Sequence, residues 1–118
     1  MIVTVDPRSA TPPYEQLRVQ VRDAVGAGEL VAGAKLPTVR ALADELGLAV
    51  NTVARAYREL ETDGIIETRG RAGSFVAPQG DAVQQQAQVA AREFVDRARR
   101  LGLDDASALD LVRAAQRG

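Results

Sequence analysis

The sequence predicts a mainly α-helical chain with one small β-hairpin. Three observations lead there. Apolar residues recur at steps of three and four through most of the chain. Once, directly after Gly64, the pattern switches to two short β-rich runs across a glycine-containing turn. About two residues separate the second helical stretch from the third, too few for the pair to lie antiparallel with ease, so the natural arrangement is a helix-turn-helix. Three helices followed by a hairpin make a winged helix-turn-helix, and two further helices are appended to it.

Each element has its own signal. Residues 2–5 (Ile-Val-Thr-Val) are β-branched and end at Asp6-Pro7, which predicts a small edge strand. Thr11-Pro12-Pro13 opens the first helix with a capping hydroxyl and prolines in the first turn, where no donor is lost. Tyr14, Leu17, Val21 and Val25 form its apolar stripe, and Gly26 and Gly28 close it. Pro37-Thr38 announces the second helix, with Val39, Leu42, Ala43 and Leu46 on one face and Gly47 where a left-handed terminal residue belongs. A third helix near 50–63 stops at Gly64. Ile65-Ile66-Glu67-Thr68 and Ser74-Phe75-Val76 flank Arg69-Gly70-Arg71-Ala72-Gly73 as the hairpin. Pro78-Gln79-Gly80 breaks the chain, so residues 1–78 are expected to form the winged helix and 79–118 a two-helix tail. Val83, Ala87, Ala90, Phe94, Ala98 and Leu101 keep helical steps in the tail. Gly102 interrupts, Asp104 caps, and Leu109 and Val112 lead the last helix. Gln84, Gln85, Gln86 and Gln88 read as a polar helix face, and no internal repeat is present.

Composition narrows the function. The 118 residues are 46% hydrophobic and 26% charged, the balance of a globular domain. The longest run without a polar residue is five, which predicts neither a membrane span nor a signal-peptide core. There is no cysteine, hence no disulfide or thiol chemistry, in keeping with a reducing cytoplasm. There is also no histidine, so the commonest general base and the commonest transition-metal ligand are both absent. Asp44/Glu45 and Asp104/Asp105 are adjacent in sequence and do not face each other on a helix. These features argue against an enzyme, and no cofactor or metal is expected.

The third helix carries the chemistry. At about 100° per residue from Val53, Tyr57 falls at about 40°, Leu60 at about −20° and Ala56 at about −60°, one core-facing side. Asn51, Arg58 and Arg55 fall at about 160°, 140° and 200°, on the opposite side. No acidic residue occurs between Gly47 and Arg58. An apolar back with an Asn/Arg front suits the major groove, where Arg pairs with guanine's acceptors and Asn with adenine's edge. On an isolated helix, two arginines would more simply be a solvated surface; the turn before and the hairpin after favour DNA. The hairpin offers Arg69 and Arg71 beside Gly70 and Gly73, which allow close backbone approach to a phosphate or groove. Arg40, at the start of the second helix beside Thr38, could add a phosphate contact or simply face Asp44. Lys35 is a weaker candidate.

Residues 1–78 hold nine Lys/Arg against ten Asp/Glu, and the chain carries a net charge of −1. Positive charge must therefore be segregated onto one face, with modest non-specific affinity and reliance on base contacts.

These residues resemble a known family. Gly28-Glu29-Leu30, Gly33 and Leu36-Pro37-Thr38-Val39-Arg40-Ala41-Leu42-Ala43 resemble the opening signature of the GntR superfamily of bacterial winged-helix regulators. Asn51 through Glu61, Gly64 through Arg69, and Gly73-Ser74-Phe75-Val76 resemble the remainder, in order from about Pro13 to Val76. The resemblance implies DNA contacts at Arg40, Thr52, Arg55 and the wing tip. Two positions depart from the pattern: Ala49 stands where a small polar residue usually caps the recognition helix, and Ala72 where the wing often has a basic or polar one. The short tail is similar to that of the YtrA-like branch, which implies dimerisation through the tail in place of a large effector domain.

The expected function is therefore a homodimeric, sequence-specific transcription regulator, a repressor, on double-stranded DNA. It would bind an inverted repeat with helix 50–63 in the major groove and wing 65–77 on the minor groove or backbone. Any small-molecule effector would sit between the tail helices or at the dimer interface. The alternative is a winged helix used as a protein-interaction module, for which the clean Asn51/Arg55/Arg58 face would have no use.

Overall fold

A computed structural model describes residues 3–80 and 82–118, with side chains at all of these except 82 and 83. Helix α1 spans Pro13–Gly26, α2 Val39–Leu46 and α3 Val50–Thr62. Strands β1 (Ile66–Thr68) and β2 (Ser74–Val76) pair antiparallel, with Ile66 opposite Val76 and Thr68 opposite Ser74. A single 3-10 turn, Gly70–Ala72, joins them. Helices α4 (Ala82–Arg100) and α5 (Asp105–Arg117) follow.

The apolar stripes meet in one core. Leu17 and Val21 of α1, Leu42 and Ala43 of α2, Val53, Ala56, Tyr57 and Leu60 of α3, and Ile66 and Val76 of the hairpin are all buried together. The four α3 residues are those on the predicted inward face. The turn between α2 and α3 is set by Gly47, whose φ of 66° is the left-handed conformation that a Cβ would strain. Thr38 caps α2 by accepting the Ala41 N–H on its hydroxyl at 3.1 Å. Across the same junction, the buried Tyr57 hydroxyl donates to the Pro37 carbonyl at 2.7 Å, tying the entry of α2 to the middle of α3.

Four local expectations are corrected. Among the described residues of the expected edge strand, 3–5, there is no strand. The segment is instead held by glutamine side chains of α1: Gln20 accepts the Thr4 N–H at 3.1 Å and donates to the Thr4 carbonyl at 2.6 Å. Gln16 does the same for Asp6. Side-chain amides satisfy this backbone, so it needs no sheet partner. Second, Thr11 does not cap α1; the N-cap is Pro12, with no side-chain bond, and Pro13 begins the helix. Third, α3 ends at Thr62 with Asp63 as its C-cap. Fourth, Ile65 lies outside β1, its N–H bonded to the Leu60 carbonyl at 2.9 Å.

One element had no sequence signal. Residues 33–36 lie along the hairpin as a third, bridge-like segment, with Lys35 paired antiparallel to Phe75. Its bonds are Gly33 N–H to Val76 O at 2.8 Å, Val76 N–H to Ala34 O at 2.9 Å and Leu36 N–H to Ser74 O at 2.9 Å. They anchor the wing to the segment leading into α2.

The tail is anchored at its start. The Gln88 amide accepts the Gln79 N–H and donates to the Gln79 carbonyl, both at 2.9 Å. Farther along α4, Arg92 lies over Gly33, where a Cβ would come within 2.8 Å of the Arg92 Cγ. Beyond that the tail projects: the radius of gyration is 16.3 Å, against about 13–14 Å for a compact chain of this length. Asp104 caps α5 by accepting the Ser107 N–H at 2.8 Å. Ala98 and Ala108, the buried residues of the tail among those described, mark where α4 and α5 meet.

Candidate nucleic-acid interface

The core fixes which face of α3 is offered to solvent. With Val53, Ala56, Tyr57 and Leu60 turned inward, Asn51, Arg55 and Arg58 are exposed and Thr52 is half-buried. The first turn of α3 has no acidic residue and, with Ala49 at the N-cap, no side-chain capping bond. The Thr52 N–H turns to the Ala49 carbonyl at 3.1 Å, and the positive dipole end carries no acidic side chain, which favours an anion there.

The cations sort by their partners. Arg18 pairs with Glu15 and lies 3.8 Å from Asp63, bracing α1 against the end of α3. Its guanidinium holds the Glu15 carboxyl below the usual range. Arg69 is paired with Glu67 at 2.6 Å, and its guanidinium lies 4.3 Å from the centroid of the Phe75 ring. Its charge is thus engaged within the hairpin itself, just before the turn at the wing tip. Arg71, exposed in the 3-10 turn at the tip, has no carboxylate partner among the described residues. The same holds for Lys35, Arg40 and Arg58, all exposed. Asp44 therefore does not pair with Arg40.

Gly70 (φ 54°) and Gly73 (φ 109°) give the wing tip its turn. The Lys35 side chain runs past Gly73, where a Cβ would stand 3.3 Å from the Lys35 Cε. This brings Lys35 to the wing rather than to α2, as the bridge at residues 33–36 requires. Thr38 is exposed, with its hydroxyl committed to the α2 cap. Arg55 has a neighbour that the sequence did not announce: its Cζ is 3.7 Å from the centroid of the Tyr14 ring at the start of α1.

Residues 13–76 match the family described as "Bacterial regulatory proteins, gntR family". The chain belongs to the GntR family. This GntR-family chain is 51% identical over 105 residues to the HTH-type transcriptional regulator Rv1152 of Mycobacterium tuberculosis, covering 89% of this chain and 86% of that protein. It is 47% identical over 77 residues to the HTH-type transcriptional repressor YtrA of Bacillus subtilis, covering 64% of this chain and 58% of that protein. Among solved structures, YtrA from Sulfolobus acidocaldarius, a GntR-family transcription factor, superposes with a TM-score of 0.61 at 27% identity. That match covers 96% of this chain and 95% of the other. The protein is thus a winged helix-turn-helix transcriptional regulator with YtrA among its relatives.

The tail residues named for dimerisation divide into three groups. The side chain of Val83 lies outside the described residues. Ala98 is only 3% exposed, used within the chain where α4 meets α5. Ala87, Ala90, Phe94, Leu101, Leu109 and Val112 are exposed. Phe94, Ala90, Leu109 and Val112 line an open apolar groove of about 630 Å³, together with Val95, Ala108 and Val31. Helical periodicity of the tail could not find Val31, which comes from the loop of the winged helix. No helix among the described residues is long and apolar enough to cross a membrane, and no cluster among them could hold a metal.

Proposed function

We propose that this regulator acts as a homodimer on an inverted-repeat operator, with α3 of each copy in a major groove and each wing against the minor groove or backbone. One observation carries the reading: Asn51, Arg55 and Arg58 stand exposed on α3 directly opposite its buried face, with no acid among them. That is the arrangement base readout needs. Lys35, Arg40 and Arg71 supply phosphate contacts, Thr38 and Thr52 offer hydroxyls beside them, and Gly70 and Gly73 let the wing backbone approach closely. Arg69 serves the wing's own structure first, through Glu67 and Phe75.

Dimerisation through the tail is supported by its exposed apolar residues. Leu101 is 69% exposed, and Leu109 and Leu111 are about half exposed. Such a cluster on a helix pair invites a matching surface. Two-fold symmetry then presents two α3 helices to half-sites about one helical turn apart. Repression is the direction suggested by the repressor YtrA of Bacillus subtilis. An effector, where one acts, would enter the groove between α4 and α5, and the work is done in the cytoplasm, where the DNA is.

The test is footprinting on the DNA upstream of the regulator's own coding sequence, with mobility shifts at two salt concentrations. The expected result is a protected inverted repeat, with Arg55→Ala costing about 1–3 kcal/mol at one base pair per half-site. A folded dimer that protects nothing and selects nothing from a randomised duplex library would instead be a protein-interaction module.

A further inference from the structure

We infer that Tyr14, on α1 and outside the recognition helix, is a positioning residue for Arg55 and sets how sharply the protein reads one base pair of each half-site. The inference rests on the DNA-binding reading above and deepens it.

The geometry is specific. The Arg55 Cζ stands 3.7 Å from the centroid of the Tyr14 ring. That separation favours a guanidinium stacked face-on over the ring, because turning an N–H edge straight toward it would push nitrogen inside van der Waals contact. A flat guanidinium keeps all its donors around its rim, pointing sideways, and that rim is what pairs with the two acceptors of guanine. Tyr14 is itself well held. It is half-buried and packs against the core cluster. Its neighbours Pro12 and Pro13 open α1, and Glu15 is fixed by Arg18, which reaches Asp63 at the end of α3.

The alternative for a lone arginine on an exposed helix is many rotamers, most pointing the rim elsewhere. Ordering such a side chain at the moment of binding reduces affinity for the right base and blurs the difference from the wrong one. The Tyr14 ring performs that ordering beforehand. Arg58, on the same face, makes no cation–π contact among the described residues. Arg55 alone on this face is preset. Arg69 on Phe75 is the other such pair, and there the guanidinium is also tied to Glu67. Arg55 feels the Glu15 carboxylate at a distance but makes no salt bridge among the described residues, so its donors remain for a ligand.

The experiment uses the full chain and duplexes selected by wild type from a randomised library, then variants of the best duplex changed one base pair at a time. Wild type, Tyr14→Phe, Tyr14→Leu, Arg55→Ala and the double variant Tyr14→Leu/Arg55→Ala are compared. Tyr14→Phe keeps the ring and is expected to bind as wild type. Tyr14→Leu keeps apolar packing but loses the ring's charge preference, and is expected to bind about two- to five-fold more weakly. Its loss should be confined to the base pair at which Arg55→Ala also loses discrimination, and it should vanish in the Arg55→Ala background. In solution, ring-current shifts of the Arg55 side-chain protons should appear in wild type and Tyr14→Phe and disappear in Tyr14→Leu, a readout that needs no DNA.

Tighter binding by Tyr14→Leu would overturn the inference, since the ring would then be holding Arg55 away from DNA. So would a loss undiminished in the Arg55→Ala background, or wild-type Arg55 protons without a ring-current shift. A wild type that selects no sequence at all removes the DNA-binding reading, and this inference with it. Selection of a defined site by a wild type whose Tyr14→Leu variant discriminates equally well removes this inference alone.

Discussion

Tyr57 offers a sharp test of how α2 and α3 are locked together. It is 5% exposed, and burial pushes its hydroxyl up from 10.0 to about 12. An unfolded tyrosine loses its proton near 10. Between these values the unfolded chain binds fewer protons than the folded one, so stability falls as pH rises. The contribution is complete below about pH 9, declines from about pH 10, and is gone above about pH 12. A tenfold change in proton affinity is worth about 1.4 kcal/mol, so the interval from 10.0 to about 12 corresponds to about 2–3 kcal/mol. At neutral pH a separate effect operates: Tyr57→Phe removes the 2.7 Å bond to the Pro37 carbonyl, which costs about 1 kcal/mol. Urea unfolding of both proteins across the alkaline range measures both quantities. The wild type is expected to start more stable and to lose that lead and more as the tyrosinate forms, with tyrosinate absorbance rising later in folded than in unfolded protein. Parallel stability curves for wild type and Tyr57→Phe would refute the reasoning, because every other group, including the single lysine, is common to both.

Other outcomes follow from the same geometry. Leu60→Ala, at a position with no exposed surface, should cost about 2–5 kcal/mol in urea unfolding. Arg71→Ala should weaken binding to all duplexes alike and reduce the slope of log affinity against log salt by about 0.9, whereas Arg55→Ala should alter sequence preference; paired salt titrations separate the two. Leu109→Glu adds charge at a side chain 49% exposed in the single chain, so thermal unfolding of the winged helix should shift little. Sedimentation should then show a monomer that binds the operator more weakly at low concentration, and a dimer of wild-type affinity would move the interface elsewhere.

Local pattern made most of the winged helix legible. The inward face of α3, the left-handed Gly47 and the hairpin all follow from spacing and from residues whose conformational needs are strong. Partners distant in the chain were not legible. Gly33-Ala34-Lys35-Leu36 alternates over only three residues, contains a glycine and runs straight into Pro37, yet it pairs with β2 because the hairpin presents a free edge to it. The β-branched run at 3–5 has the composition of a strand, but glutamines at 16 and 20 satisfy its backbone from a helix. For the candidate interface, the exposed set on α3 was readable from helical angles alone. The engagement of Arg69 beside the wing tip was not, because it depends on Glu67 and Phe75 meeting across a hairpin. Nor was the Tyr14–Arg55 contact, since Tyr14 sits on a stripe that reads simply as core.

The charge balance and the ordering of Arg55 belong to one argument. With a net charge of −1 the protein has little long-range attraction for a polyanion. Ion pairs sharpen the division: Arg18, Arg22 and Arg69 neutralise carboxylates within the winged helix, leaving Lys35, Arg40, Arg55, Arg58 and Arg71 as the cations without acid partners from the wing segment through its tip. So few unpaired cations predict a shallow salt dependence and weak non-specific binding. A protein in that position gains selectivity from the difference between right and wrong base contacts rather than from total affinity. Arginines set in place before binding increase that difference, because a preset guanidinium cannot readily turn to accommodate another base. A near-neutral regulator therefore gains from two short-range devices: a rigid readout face and, where the proposed tail-mediated dimer forms, a second copy to double it.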